Sequence, residues 1–220
     1  MKRFISILIC CAATGFLFSG CSGKGINDAS PQELYDEAQK DIDSSQYLLA
    51  LEKLRMLKNK FPYSNLAAEA QLKIADVYFL QDSFIEAAAA YEIFNDLHPK
   101  HEKTVYALFK IGDSYYNDVP GNIARDLTSA TKAEAAFNNF LKKFPAEEKS
   151  DEIRNKRTDV RNFLAKKELY IGDFYYREDQ YLSAQKRYVK ILNLYPDSKF
   201  IEEAKKKLKK IESLLEKEKS

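Results

Sequence analysis

An all-α, right-handed solenoid of about four helix pairs closed by a last helix is the fold this sequence predicts, and three observations predict it. One short pattern recurs, as Ile74-Ala75-Asp76-Val77-Tyr78, Ile111-Gly112-Asp113-Ser114-Tyr115 and Ile171-Gly172-Asp173-Phe174-Tyr175. Each copy is followed by an alanine, an aromatic four residues on and a proline twelve residues after the alanine: Ala87, Tyr91, Pro99; Ala133, Phe137, Pro145; Ala184, Tyr188, Pro196. A weaker first copy keeps Ala50, Leu54 and Pro62. The composition agrees: 220 residues, 45% hydrophobic and 31% charged, hold only 7 glycines and 6 prolines. With apolar residues at helical spacing, that describes helices joined by short turns. Repetition of this kind marks a scaffold that binds along its surface.

The chain begins with a leader. Lys2 and Arg3 precede an apolar run from Phe4 to Phe18, which Ser19-Gly20-Cys21 closes with small residues. This is the layout of a secretory signal, and the run is shorter than the roughly 20 residues that span a bilayer. Leu17-Phe18-Ser19-Gly20-Cys21 resembles the bacterial lipobox. That resemblance implies removal of residues 1–20 and acylation of Cys21, with each buried methylene contributing about 0.8 kcal/mol to membrane anchoring. The covalent lipid is the one attached group expected; no cofactor and no metal are. Residues 21–30 are small and polar and read as a flexible tether. Removing Lys2 and Arg3 takes the formal charge from +2 to zero, which leaves no bias toward nucleic acid. Cys10, Cys11 and Cys21 are the chain's three cysteines, so the repeat domain at 31–220 has no disulfide and no thiolate metal site.

Within that domain the repeats fall at about 32–62, 65–99, 102–145 and 161–196, with a closing helix at 199–217. The motif is that of a tetratricopeptide repeat, a helix-turn-helix in which small residues stand where the two helices cross. Ala75, Gly112 and Gly172 take that place on first helices, and Ala50, Ala87, Ala133 and Ala184 on second helices. Nine residues separate Tyr78 from Ala87 and Tyr175 from Ala184, but eighteen separate Tyr115 from Ala133. An inserted loop is therefore expected in the third repeat, around Asn117 to Thr131. The charged stretch Ala146 to Val160 reads as a helical extension with Arg154, Lys156, Arg157 and Arg161 on solvated faces. Ile201, Ala204, Leu208, Ile211 and Leu215 form one stripe of the closing helix, which covers the last apolar face as solenoids require.

Helix geometry puts each repeated aspartate on the same side as the residue three further on. The pairs are Asp76 with Phe79, Asp113 with Tyr116 and Asp173 with Tyr176. Stacking aligns three carboxylates beside three rings on the concave side. Two readings follow: a groove for an extended peptide, or rings that pack between repeats while the aspartates bond to adjacent turns. No catalytic constellation is present. His98 and His101 flank Pro99 without the further ligand a zinc site needs, and there is no phosphate-binding glycine loop.

Phe61-Pro62-Tyr63-Ser64, Ala90-Tyr91-Glu92, Leu97-His98-Pro99, the repeated Ile-X-Asp-X-Tyr runs and Arg125-Asp126 ahead of Lys132-Ala133 together resemble the BamD (YfiO) family of outer-membrane β-barrel assembly lipoproteins. The resemblance implies a non-catalytic scaffold, lipid-anchored at the periplasmic face of the outer membrane. Its implied partners are the barrel-forming subunit with periplasmic POTRA domains, companion lipoproteins and unfolded outer-membrane proteins. Tyr35, Asp76, Phe79, Asp113 and Tyr116 would line the peptide-binding side; Arg125, Asp126, Asp173, Tyr176 and Arg187 would face partners. Where the family carries glutamine after Arg-Asp this chain has Leu127, and four repeats stand where enteric members have five. Another periplasmic tetratricopeptide scaffold, of envelope or division complexes, is the alternative reading.

Overall fold

Ser30 starts the first helix through a reciprocal cap. Its hydroxyl accepts from the Glu33 N–H at 3.2 Å, its own N–H donates to the Glu33 carboxylate at 2.7 Å, and Pro31 follows as the first helical residue. The computed structural model describes residues 28–219. The leader at 1–20, Cys21 and the tether as far as residue 27 lie outside the described residues.

Among the described residues the chain forms nine α-helices and no strand: α1 (Pro31–Asp43), α2 (Tyr47–Lys60), α3 (Asn65–Leu80), α4 (Phe84–Leu97), α5 (Thr104–Asn117), α6 (Thr128–Lys143), α7 (Ser150–Arg177), α8 (Tyr181–Leu194) and α9 (Ile201–Lys219). None is long and apolar enough to cross a membrane. Every helix packs on the next, and first helices of neighbouring repeats also meet, α1 on α3 and α5 on α7. That is the all-α tetratricopeptide solenoid the sequence predicts: four pairs and a ninth helix.

Two kinds of turn fold the pairs. Within repeats one, two and four, three residues reverse the chain, and the middle one is left-handed: Ser45 (φ 57), Asp82 (φ 56) and Asp179 (φ 55). The N–H beyond it reaches back across the turn, as Ser83 to the Tyr78 carbonyl at 3.0 Å and Gln180 to that of Tyr175 at 2.9 Å, satisfying carbonyls the helix end leaves open. Between repeats the stop is a proline. Phe61, His98, Phe144 and Tyr195 end their helices with ψ between 50 and 62, because the ring of the following proline bars them from helical ψ.

The small residues stand where helices cross. Ala50, Ala87, Ala133 and Ala184 are fully buried. A Cβ on Gly112 would fall 2.5 Å from the Phe137 ring, and one on Gly172 would fall 2.4 Å from that of Tyr188. Leu34, Leu54, Leu57 and Val77 head one apolar cluster in the first repeat and α3. A longer cluster runs through Tyr91, Phe94, Phe137, Phe140, Tyr188 and Ile191 to Ile211 on α9.

The first helix of repeat four starts at Ser150, ahead of the repeat boundary at 161, because the charged run extends it without a break as its pattern predicts. The closing helix reaches Lys219, beyond 217. The insertion is the loop at 118–127, between α5 and α6. Leu127 at its end is 8% exposed and joins the core.

Candidate functional site

The repeated aspartates lie on α3, α5 and α7; each is bonded from the following first helix or, for the last, from α9, and Asp76 and Asp173 are bonded from their own second helices as well. The Asp76 carboxylate accepts from the Tyr91 hydroxyl of α4 at 2.7 Å and from the Tyr106 hydroxyl of α5 at 2.8 Å. Asp173 repeats the plan, accepting from Tyr188 of α8 at 2.6 Å and from the Lys207 ammonium of α9 at 2.6 Å. In the third repeat the equivalent ring is Phe137, which has no hydroxyl. There Asp113, 6% exposed, takes Lys110 at 3.1 Å and Lys156 of α7 at 2.5 Å. Burial, seconded by the adjacent carboxylate, pushes Tyr91 and Tyr106 far above the usual phenol range, and burial with the hydrogen bond to Asp173 does the same to Tyr188. All three therefore stay protonated and donate. Burial presses the Lys110 ammonium downward, against Asp113, which favours its charge; for Lys156 the bonds to Asp113 and Glu152 outweigh burial and raise it.

The three rings follow the same rhythm. Each is half-buried, and each lies beside a lysine: Lys110 at 3.1 Å from the Phe79 centroid, Lys156 at 5.5 Å from Tyr116 and Lys210 at 5.1 Å from Tyr176, distances at which a cation is drawn to the ring face. The concave side is thus a ladder of carboxylate, ammonium and aromatic ring. Its aspartates bond to side chains on helices and not to neighbouring turns, and part of each ring stays exposed. Tyr35, on α1, is half-buried against the first cluster; burial first, and then the Glu69 carboxylate, push its phenol up.

The residues expected to face partners divide in two. Arg125 and Asp126 are exposed on the third-repeat loop, but Asp126 also starts α6 by accepting from the Thr128 N–H at 3.1 Å and its hydroxyl at 2.9 Å. Lys167 of α7 pins the loop from below, donating to the carbonyls of Ile123 at 2.6 Å and Arg125 at 3.3 Å. Arg187 lies on the opposite, outer side of α8. Its guanidinium is 3.1 Å from the Glu168 carboxylate, which Lys190 also holds at 2.5 Å, and its side chain is 35% exposed.

The charged run was expected to solvate all four of its basic residues, and two depart from that. Lys156 turns in to Asp113. Arg161, with a side chain 16% exposed, binds Glu134 of α6, the Asp197 carboxylate at 2.6 Å and the Leu194 carbonyl at 2.8 Å. Sequence reasoning missed Lys110, Lys156, Lys207 and Tyr106 as partners of the aspartates. Only Lys110, three residues ahead of Asp113 on the same helix, left a local signal. His98 and His101 pack against the Phe94 ring, with centroids 5.3 and 5.2 Å away. Among the described residues no group of three His, Cys, Asp or Glu is placed to hold a metal.

Comparison with known proteins follows the same direction. The family model described as YfiO, outer membrane lipoprotein, matches residues 27–220. Proteins named outer membrane protein assembly factor BamD are similar across most of their length. That of Neisseria gonorrhoeae is 28% identical over 86% of this chain and 78% of its own, that of Vibrio cholerae 29% over 83% and 80%, and that of Pasteurella multocida 26% over 88% and 78%. Among solved structures, a tetratricopeptide repeat protein from Parabacteroides merdae aligns with 83% of this chain and 60% of its own, at 18% identity and a TM-score of 0.43.

Proposed function

This chain belongs to the YfiO family of outer membrane lipoproteins, and from that premise we propose that it is a non-catalytic scaffold of outer-membrane protein assembly. In this reading Cys21 carries the lipid that holds it at the periplasmic face. The first repeats take extended segments of unfolded outer-membrane proteins, and the last repeat docks the barrel-forming subunit through its periplasmic domains. Companion lipoproteins complete the complex.

The observation that carries the proposal is the ladder of half-exposed rings at Phe79, Tyr116 and Tyr176. Rings at successive repeats offer apolar area at intervals along one face, which suits an extended chain better than a compact ligand. The aspartates are occupied by hydroxyl and ammonium groups of the stack, so a segment seated there meets rings and lysines before it meets a carboxylate without a partner. On this account Asp76, Asp113 and Asp173 position the rings by joining repeats, and Phe79, Tyr116 and Tyr35 make the contact. Arg187 supports the docking role through a side chain that stays 35% exposed, since an arginine fork suits a partner carboxylate.

Recovery of the tagged protein from membranes tests the reading. The wild-type chain should bring down a large barrel protein with periplasmic domains, and Arg187→Glu should recover much less of it. Lys190 still neutralises Glu168 in that variant, so its circular dichroism and melting should stay close to wild type. Undiminished recovery would remove Arg187 from the docking surface.

A further inference from the structure

Ile85, Ala89, Ile93 and Leu97 come at every fourth residue of α4, so they stand in one row about 18 Å long on its surface. All four are exposed, the three larger ones to 44, 49 and 63%, and none joins either apolar cluster of the core. The rings of the concave ladder come from first helices, and α4 is a second helix, so the row is no part of that ladder.

The other repeats show that the fold does not require it. The same four positions are Leu48, Glu52, Met56 and Lys60 on α2, Thr131, Ala135, Asn139 and Lys143 on α6, and Leu182, Lys186, Lys190 and Leu194 on α8. Each of those helices stacks like α4 and interrupts the row with polar or charged residues. An unbroken apolar row, exposed on one repeat of four, has no task inside the solenoid.

The charges beside it indicate what it meets. α4 carries Glu86, Glu92 and Asp96, all exposed, and no basic residue. Helical geometry sets Glu86 to one side of the row and Glu92 with Asp96 to the other. This arrangement opposes the helix itself: Asp96 sits in the last turn, where the backbone dipole is negative, and Glu92 repels it from one turn before. The equivalent turns of α2 and α6 end instead in Lys58 and Lys60, and in Lys142 and Lys143. Glu92 takes the Tyr115 hydroxyl at 3.0 Å, while Glu86 and Asp96 have no ion-pair partner among the described residues. Lys132 and Lys143 of α6 line the same hollow as Glu92 and Asp96 without forming an ion pair with them. The row is thus flanked by negative charge on both sides, which favours a basic occupant and disfavours an anionic lipid surface or a second copy of the same row.

The form of the occupant follows from the backbone. Within a helix the main-chain groups bond one another, so this face offers an extended chain no N–H or C=O to pair with. A helix brings its own backbone already satisfied and packs side chains at this spacing into the groove of its surface. We propose that the outer face of α4 is a docking site for an amphipathic helix of a partner protein, one whose apolar stripe is flanked by lysine or arginine. The site is separate from the concave ladder and from Arg187, and does not rest on the roles given to them.

The test pans the immobilised full-length chain against a phage-displayed library of helix-forming peptides about five turns long, then measures selected peptides by fluorescence anisotropy. Two variants decide it. The triple change Ile85→Thr, Ile93→Asn, Leu97→Lys writes the residues of α6 onto α4, and its circular dichroism and melting should stay close to wild type because α6 carries them in the same fold. The double change Glu86→Gln, Asp96→Asn removes charge and leaves the row. Selected peptides should carry apolar residues three and four apart with basic residues on both flanks. Their affinity should fall roughly tenfold or more for the triple variant, and roughly threefold or more for the double variant, with a flatter dependence on salt. Phe79→Ala should bind them unchanged. Failure to enrich any peptide, enrichment of acidic flanks, or equal affinity for wild type and the triple variant would overturn the proposal. So would a wild-type dimer in sedimentation that the triple variant abolishes, since the occupant would then be a second copy. A Cys21→Ser chain that floats with vesicles of phosphatidylethanolamine and phosphatidylglycerol, and ceases to float with the triple change added, would overturn it in favour of a lipid surface.

Discussion

Gly172 and Tyr188 come so close that no side chain fits between them, and the same holds for Gly112 and Phe137. An alanine at either glycine has to push a fully packed ring aside. Gly172→Ala should therefore cost about 1 to 3 kcal/mol, read as a lower midpoint in urea, and Gly121→Ala, whose Cβ meets nothing within 4 Å, serves as the silent control. These crossing points were legible in the sequence because each repeat writes them again. The aspartates were legible as a set for the same reason, but their role was not. What decides it is Tyr106, Lys156 and Lys207, which reach Asp76, Asp113 and Asp173 from 30, 43 and 34 residues further on. Those intervals vary with the insertion and the long helix, so no fixed spacing marks the partner. Phe137 in place of tyrosine explains why the middle joint alone uses two lysines.

Among the elements, α7 carries the largest gap between reading and structure. Its charged first half looks like a solvated extension, yet Arg161 bolts α6 and the end of α8 to it through Glu134, Asp197 and the Leu194 carbonyl. Charge density alone does not reveal this, because the acceptors lie on two other elements. Arg161→Met should cost about 2 kcal/mol at neutral pH, a figure held down by the partial exposure of Asp197. Hydrogen bonds from Arg161 hold the Asp197 carboxyl below its ordinary 3.8 against the opposing effect of burial. A depressed carboxyl contributes its stability above the unfolded value and loses it as pH falls through the folded one. The difference between wild type and Arg161→Met should accordingly be constant near neutrality and shrink below about pH 4, as denaturant titrations across pH will show. The third-repeat loop was placed correctly by counting from Tyr115 to Ala133, although its anchoring by Lys167 could not be counted.

For the whole molecule, stacking makes stability a sum over joints, with the end joint the most exposed. α9 buries Ala204, Leu208 and Ile211 against the fourth repeat and supplies Lys207 to Asp173. A chain ended at Phe200 should lose about 3 to 5 kcal/mol, with α8 fraying first in hydrogen exchange while α1 to α4 keep their protection. The order of repeats and the closing helix were legible because they rest on periodicity, and the family through a resemblance carried by particular motifs. The ladder was legible as a set of positions, because the same three-residue interval from aspartate to ring recurs in three repeats. The central claim, that this solenoid serves the assembly of outer-membrane barrels, is tested most directly by depleting the protein in its own cell and following the outer-membrane proteome over time. The account predicts that many β-barrel proteins fall together, soon after the chain itself is gone. Barrel proteins that hold their levels in its absence would contradict it.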